Sequence, residues 1–141
     1  MKTSQPDLLK GKKQKEEMGK SALVQLVKRG VDADAVFLIA ERSGLHKETI
    51  AHLLETSLKT LRRYQKEHKK LNAKESELIL KLADLFERGE QVFGNMAEFR
   101  HWIEAPAYGL DNQVPLELLY TSEGINLVLD EVERIAHGDL A

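Results

Sequence analysis

Apolar residues recur every three or four positions along most of the chain, which is the spacing of one buried face of an α-helix. Helices are predicted over about 34–42, 47–54, 57–70, 73–93, 96–104 and 122–137. A short apolar stretch at 22–28 fits a helix or a strand, and its length leaves both open. Because no segment alternates strictly between apolar and polar residues, the pattern predicts an all-α fold.

Polar side chains mark the starts of several predicted helices. Ser57 is a predicted N-cap, and Asn72 with Glu75 three residues later has the spacing of a capping box. Asp32 or Asp34 is expected to cap the helix that follows them. By contrast, residues 1–17 are lysine-rich and short of apolar side chains, so they are predicted to be a mobile basic arm.

The segments at 47–54 and 57–70 are separated only by Glu55 and Thr56. Two short amphipathic helices across so tight a connection indicate a helix-turn-helix, which we assign to a DNA-binding domain at residues 18–72. The predicted buried positions are Ile50, Ala51, Leu53, Leu54, Leu58 and Leu61, with Tyr64 as a further candidate. Glu55 stands where many such turns carry glycine, because the backbone there is often left-handed.

The net charge of -2 conceals two halves of opposite sign. Residues 1–73 hold 16 Lys and Arg against 9 Asp and Glu, whereas residues 74–141 hold 5 against 14. This division suggests two faces with different partners, one of which tolerates phosphate. A solvated surface with an accidental division of charge is the alternative.

The second helix of the motif presents polar and cationic side chains opposite its apolar stripe. That arrangement is what a recognition helix in the DNA major groove requires, although a basic helix face is also commonly just solvated. Lys59 and Arg63 are the candidates for the groove, and the helix start at Ser57 is a candidate phosphate site. The full set of predicted DNA-binding residues is Ser57, Lys59, Thr60, Arg62, Arg63 and Lys66.

The last part of the chain has the signals of a short turn of helix followed by an amphipathic helix. Pro115 fits the first position of the turn, and Thr121 is a predicted N-cap. The predicted apolar stripe consists of Ile125, Val128, Leu129, Val132 and Ile135. Leu127 lies off this stripe, so it is a candidate for an exposed contact with a partner.

Three stretches in succession resemble Xre/MbcA/ParS-type antitoxins. They are "GLHKETIAHLLETSLKTLRRYQ", "VFGNMAEFRHWIEAP" and "PLELLYTSEGINLVLDEVERIAHG", and the last is the most specific. The resemblance implies an antitoxin that dimerises, represses its own promoter, and covers the active-site entrance of a RES-domain toxin that destroys NAD. It implies no cofactor for this chain, since NAD belongs to the toxin.

The resemblance assigns residues 73–141 to dimerisation and toxin binding. The toxin-facing candidates carried over by position are Leu127, Glu131, Arg134, His137 and Gly138, with Asp139 and Leu140 in the tail. The alternatives are a stand-alone transcription regulator whose second half only dimerises, and an interaction module whose helix-turn-helix has lost DNA binding.

The sequence gives little support for a metal site or for catalysis. The chain has no cysteine, and its five histidines form no i, i+4 pair, so we expect no metal site. No phosphate-binding or nucleophile motif occurs, and Asp130, Glu131 and Glu133 are expected to be solvated on a helix surface rather than catalytic. We therefore expect a cytoplasmic binding protein without enzymatic activity and without a membrane segment.

Overall fold

The computed structural model describes residues 20–138, with side chains from residue 24 onward. The predicted arm at 1–17 and the tail residues Asp139 and Leu140 lie outside this range. Within it the chain forms seven α-helices, α1 (Lys20–Arg29), α2 (Asp34–Ser43), α3 (Lys47–Leu53), α4 (Leu58–Lys66), α5 (Ala73–Phe93), α6 (Met96–Ile103) and α7 (Ser122–Ala136). Short 3-10 helices occupy Tyr108–Leu110 and Pro115–Leu118.

The predicted all-α fold is confirmed for the described part of the chain. Residues 20–138 contain no strand, and their only β-type pairings are two isolated bridges, Asp32 with Lys70 and Ala107 with Gln113. The ambiguous stretch at 22–28 is helical and lies inside α1.

The long helix α5 is the centre of the molecule, because α1, α2, α6 and α7 all pack against it. It begins at the predicted capping box, in which the Asn72 side chain accepts from the Glu75 N–H and the Glu75 carboxylate accepts from the Asn72 N–H. It ends at Gly94, whose φ of 95° suits glycine best. Its buried apolar residues are Leu78, Ile79, Leu82, Ala83, Leu85 and Phe86.

An aromatic cluster joins α5 to α6. The Phe99 ring lies 5.9 Å from the Phe86 ring and 6.0 Å from the Trp102 ring. A Cβ atom at Gly89 would lie 2.5 Å from the Phe99 ring, so this glycine lets the two helices approach closely. Phe99 is fully buried, and Trp102 is partly buried against the core.

A second contact ties α6 to the end of α2. The Arg100 side chain donates a hydrogen bond of 3.0 Å to the Ser43 carbonyl and fills the space beside Gly44. Gly44 ends α2 with a φ of 79°. The helix-turn-helix region and the C-terminal region therefore share one packed core through α5, α6 and α2.

The prediction that Asp32 or Asp34 caps α2 is wrong. The N-cap position is Ala33, and no side chain caps the helix. Both carboxylates are engaged by residues far along the chain instead, Asp32 by Lys70 at 2.8 Å and Asp34 by Gln65 at 2.6 Å. They fasten the start of α2 to the end of α4 and the segment after it.

Candidate DNA-binding and partner-binding surfaces

Helices α3 and α4 form the predicted helix-turn-helix. Between them Glu55 has a φ of 59°, so the turn does adopt the left-handed conformation that the sequence pattern indicated, with glutamate in place of glycine. The turn is closed by the Thr56 N–H, which donates to the Ala51 carbonyl at 3.0 Å. The Glu55 carboxylate lies 3.7 Å from the Lys74 ammonium, and both side chains are largely exposed.

Ser57 fixes the start of α4. Its hydroxyl oxygen accepts a hydrogen bond of 3.0 Å from the Thr60 N–H, which confirms the predicted N-cap. The same hydroxyl donates to the Thr60 side-chain oxygen at 3.0 Å. Two of the predicted DNA-binding residues are thus joined to each other at the exposed end of the helix.

Helix α4 has one buried and one exposed face. Leu61 is fully buried, and Leu58 and Tyr64 are partly buried, as predicted. The four cationic side chains of the predicted DNA-binding set are all exposed, namely Lys59, Arg62, Arg63 and Lys66. Because the apolar contacts hold the helix from one side only, these cations are available to a nucleic acid backbone.

Tyr64 connects the two faces of α4. The Arg63 guanidinium lies 5.5 Å from the centre of its ring and the Lys69 ammonium lies 4.7 Å from it. Both distances fall within the range of a cation–π contact. The contact with the Tyr64 ring therefore places the Arg63 side chain on the exposed side of α4.

Two predicted helix-start residues, Pro115 and Thr121, hold the expected positions in the last part of the chain. Pro115 occupies the first turn of its 3-10 helix, and the Thr121 side chain accepts from the Gly124 N–H at 3.0 Å as the N-cap of α7. Gly124 is packed so tightly against the Leu118 carbonyl that no Cβ atom fits there. Leu119 is fully buried, whereas Leu116 and Leu118 are partly buried.

Polar contacts hold α7 against α5. The Arg88 guanidinium donates to both carboxylate oxygens of Glu133, at 2.7 and 2.9 Å. These hydrogen bonds raise the pKa of Arg88 above its usual value, against the opposing effect of burial. One turn from the start of α7, Lys81 donates to the Asn126 side chain at 3.1 Å.

The candidate toxin-facing residues have unequal exposure. Leu127 is 55% exposed, and His137 and Gly138 are also exposed. Arg134 is partly buried, and Glu131 is only 7% exposed.

The expectation that the three acidic residues at 130, 131 and 133 are all solvated is wrong. Asp130 is exposed, but Glu131 is buried and accepts from Arg134 at 2.9 and 2.5 Å. Glu133 is partly buried against Arg88. The helical pattern alone did not reveal this, because the burial of Glu131 comes from a distant loop.

That loop runs between α6 and the second 3-10 helix. Gly109 lies directly against the Glu131 carboxylate and leaves no space for a Cβ atom. The neighbouring Tyr108 is 90% exposed. The helical pattern of the sequence gives no signal for this segment, so the sequence analysis missed both its contact with Glu131 and the exposure of Tyr108.

The described residues offer no arrangement for metal binding or for crossing a membrane. Between residues 20 and 138 no group of three His, Asp or Glu side chains is placed to hold a metal ion. None of the helices in this range is long and apolar enough to span a lipid bilayer.

The fold is that of a two-part helical binding protein, with a helix-turn-helix followed by a helical domain. Residues 22–84 match the family model of the antitoxin Xre-like helix-turn-helix domain, and residues 88–138 match that of the antitoxin Xre/MbcA/ParS C-terminal toxin-binding domain. No curated protein sequence matches the chain. The chain belongs to the Xre/MbcA/ParS-type antitoxins, as the resemblance implied, so its domains are of the DNA-binding and toxin-binding kinds.

Proposed function

We propose that the protein is the antitoxin of a type II toxin–antitoxin pair. In this proposal it neutralises a RES-type, NAD-degrading toxin in the cytoplasm by covering the entrance of the toxin's active site. It also represses its own promoter as a homodimer. The observation that carries the proposal is the match of residues 88–138 to a toxin-binding domain, in a chain that also has a helix-turn-helix.

The DNA-binding surface is the exposed side of α4. Lys59 and Arg63 lie on its cationic face, where long donors can reach base edges in the major groove. Arg62 and Lys66 are also exposed and fit phosphate contacts, which would make the affinity dependent on salt. Ser57 and Thr60 form the start of the helix, where first-turn N–H groups favour a phosphate.

The toxin-binding surface is the outward side of α7 and the residues after it. Leu127, His137 and Gly138 are exposed there and act as direct contacts, followed by Asp139 and Leu140. Glu131 is buried, so its role in this proposal is to hold Arg134 in place. Inhibition requires only that the surface block access, so the antitoxin itself makes or breaks no bond and needs no cofactor.

The domain division follows the same proposal. Residues 18–72 bind DNA, and residues 73–141 dimerise and bind the toxin. Helix α5 opens the second domain, yet it also packs on α1 and α2 of the first.

Co-expression with the product of the neighbouring gene, which this proposal expects to be the toxin, tests the inhibitor role. Cells that produce the toxin alone should stop growing and lose NAD, and this chain should restore both growth and NAD. The control produces, in place of this chain, a helix-turn-helix protein that has no toxin-binding domain. Equal loss of NAD with and without the full chain would remove the inhibitor role and leave a stand-alone DNA-binding regulator.

A further inference from the structure

Four large apolar side chains are exposed between residues 24 and 138. Val24 and Leu38 lie in α1 and α2, at 51% and 41% exposure. The two most exposed, Tyr108 at 90% and Leu127 at 55%, lie in the toxin-binding domain. A tyrosine exposed to that extent contributes little to the core, so its ring is accessible to a partner.

The Glu131 carboxylate brings Tyr108 and Leu127 to the same part of the surface. Leu127 precedes Glu131 by four residues on α7, so the two side chains lie on one face of the helix and one turn apart. Gly109 lies directly against the Glu131 carboxylate, and Tyr108 is its neighbour in the chain. Tyr108 and Leu127 thus lie on the loop and the helix that meet at Glu131, and we name the surface that carries them the Tyr108–Leu127 patch.

The loop that carries Tyr108 is held rigidly by its own backbone. The Ala107 N–H donates to the Gln113 carbonyl at 3.0 Å, and the Asn112 N–H donates to the Ala107 carbonyl at 2.9 Å. Asp111 and Asn112 have φ values of 57° and 63°, which makes a tight reversal of the chain. Since Ala107 is buried and Gly109 is seated on the Glu131 carboxylate, the backbone on both sides of Tyr108 is fixed.

An exposed aromatic side chain on a fixed backbone is well suited to be an anchor residue in a protein interface. Tyrosine is enriched among the few residues that carry most of the binding free energy, because it buries a large area and loses little rotamer entropy. A loop that is already in position loses less conformational entropy on association than a mobile one.

The charges around the patch indicate the chemistry of its partner. Leu127 has Glu123 four residues before it and Asp130 three residues after it, so both exposed carboxylates lie beside it on α7. Arg134, the cation of this helix face, is paired with Glu131. A second copy of the chain would bring like charges together across a two-fold axis, whereas a basic surface with an apolar pocket would complement them.

We infer that Tyr108 is the principal anchor of the antitoxin on its toxin, and that it enters an apolar pocket bordered by Lys or Arg side chains. Leu127 extends the same contact. This inference rests on the proposed function, since it names the place on the toxin-binding domain where that function is exerted.

The test measures the affinity of the full-length antitoxin for the purified toxin encoded beside it, made catalytically inactive by substitution. We expect Tyr108→Ala to raise the Kd by tenfold or more and Leu127→Ala to raise it by about threefold. Tyr108→Phe keeps the ring, and Leu38→Ala removes an exposed leucine from the other domain, so both should stay within about twofold of the unsubstituted chain.

The outcomes separate this inference from the proposed function. If the unsubstituted chain binds the toxin and Tyr108→Ala binds equally well, the anchor is wrong and the antitoxin function stands. If Tyr108→Ala instead converts a dimer to a monomer without changing toxin affinity, the patch is a self-association surface and the inference is also wrong. If the unsubstituted chain does not bind the toxin at all, the proposed function itself fails.

Discussion

Arg88 and Glu133 are 45 residues apart in the chain, yet the guanidinium donates to both carboxylate oxygens and joins α5 to α7. The geometry is bidentate, which is the stronger arrangement for this pair. Each side chain is only about one third exposed, at 35% and 38%. The pair therefore adds a charged contact to the packing of α7 on the central helix α5.

We predict that Arg88→Met lowers the free energy of unfolding by about 1 kcal/mol, because the substitution removes the charged pair and keeps most of the apolar stem. Thermal or urea denaturation measures the change. Lys74→Met is the matched control, since the Lys74–Glu55 pair is longer at 3.7 Å and almost fully solvated. Equal effects of the two substitutions would show that the Arg88 pair contributes no more than an ordinary surface contact.

A second prediction concerns the turn of the helix-turn-helix. Glu55→Gly should raise the free energy of unfolding by about 1 kcal/mol, because glycine adopts the φ of 59° without the steric cost that a Cβ atom brings. Glu48→Gly, inside the right-handed helix α3, should lower it by a similar amount. Two changes of the same sign in denaturation experiments would contradict the left-handed turn.

The third prediction separates the DNA surface from the toxin surface. The double variant Lys59→Ala with Arg63→Ala should weaken binding to the promoter duplex by roughly tenfold or more and leave toxin neutralisation intact. Fluorescence anisotropy at several salt concentrations measures the first effect, and co-expression measures the second.

The control for that variant removes two positive charges elsewhere. Arg42→Ala with Lys81→Ala changes the net charge equally, but these cations face Glu90 and Asn126 rather than the exposed side of α4. It should change promoter affinity by no more than about twofold at physiological salt, because charges outside the contact surface are screened. Equal losses from both double variants would mean that net charge, and not α4, governs binding.

The fourth prediction concerns the end of the chain. Truncation after Ile135 should reduce toxin inhibition more than it reduces stability, because every buried residue of α7 precedes the cut, namely Gly124, Ile125, Val128, Glu131 and Val132. Circular dichroism should show a helix content close to that of the full chain. Complete rescue of growth by the truncated protein would restrict the toxin contact to residues before 136.

Local features of this fold were predictable because their causes lie within a few residues. Ser57, Asn72 and Thr121 each accept a hydrogen bond from an N–H three residues later, so the spacing of the side chains was sufficient to identify the N-caps. The left-handed turn at Glu55 followed from the two-residue gap between amphipathic segments in the same way.

Features that depend on distant parts of the chain were not predictable from spacing. Asp34 has the residue type of a cap, but it is the first residue of α2 and its carboxylate accepts from Gln65, 31 residues later. Glu131 lies beside two other acidic residues on α7, yet it is buried, with Gly109 from another segment directly against its carboxylate. The same contact fixes the position of Tyr108, so the spacing of apolar residues could not predict it.

Helix α5 runs without a break from Ala73 to Phe93, and the two matched domain ranges meet inside it. At 1.5 Å per residue its length is about 30 Å. Four neighbouring helices pack against α5. The helix therefore holds the two domains in a fixed relative orientation, which a flexible linker would not do. Under the proposed function, a toxin bound at α7 would therefore be held at a fixed distance and angle from the DNA-binding surface of α4.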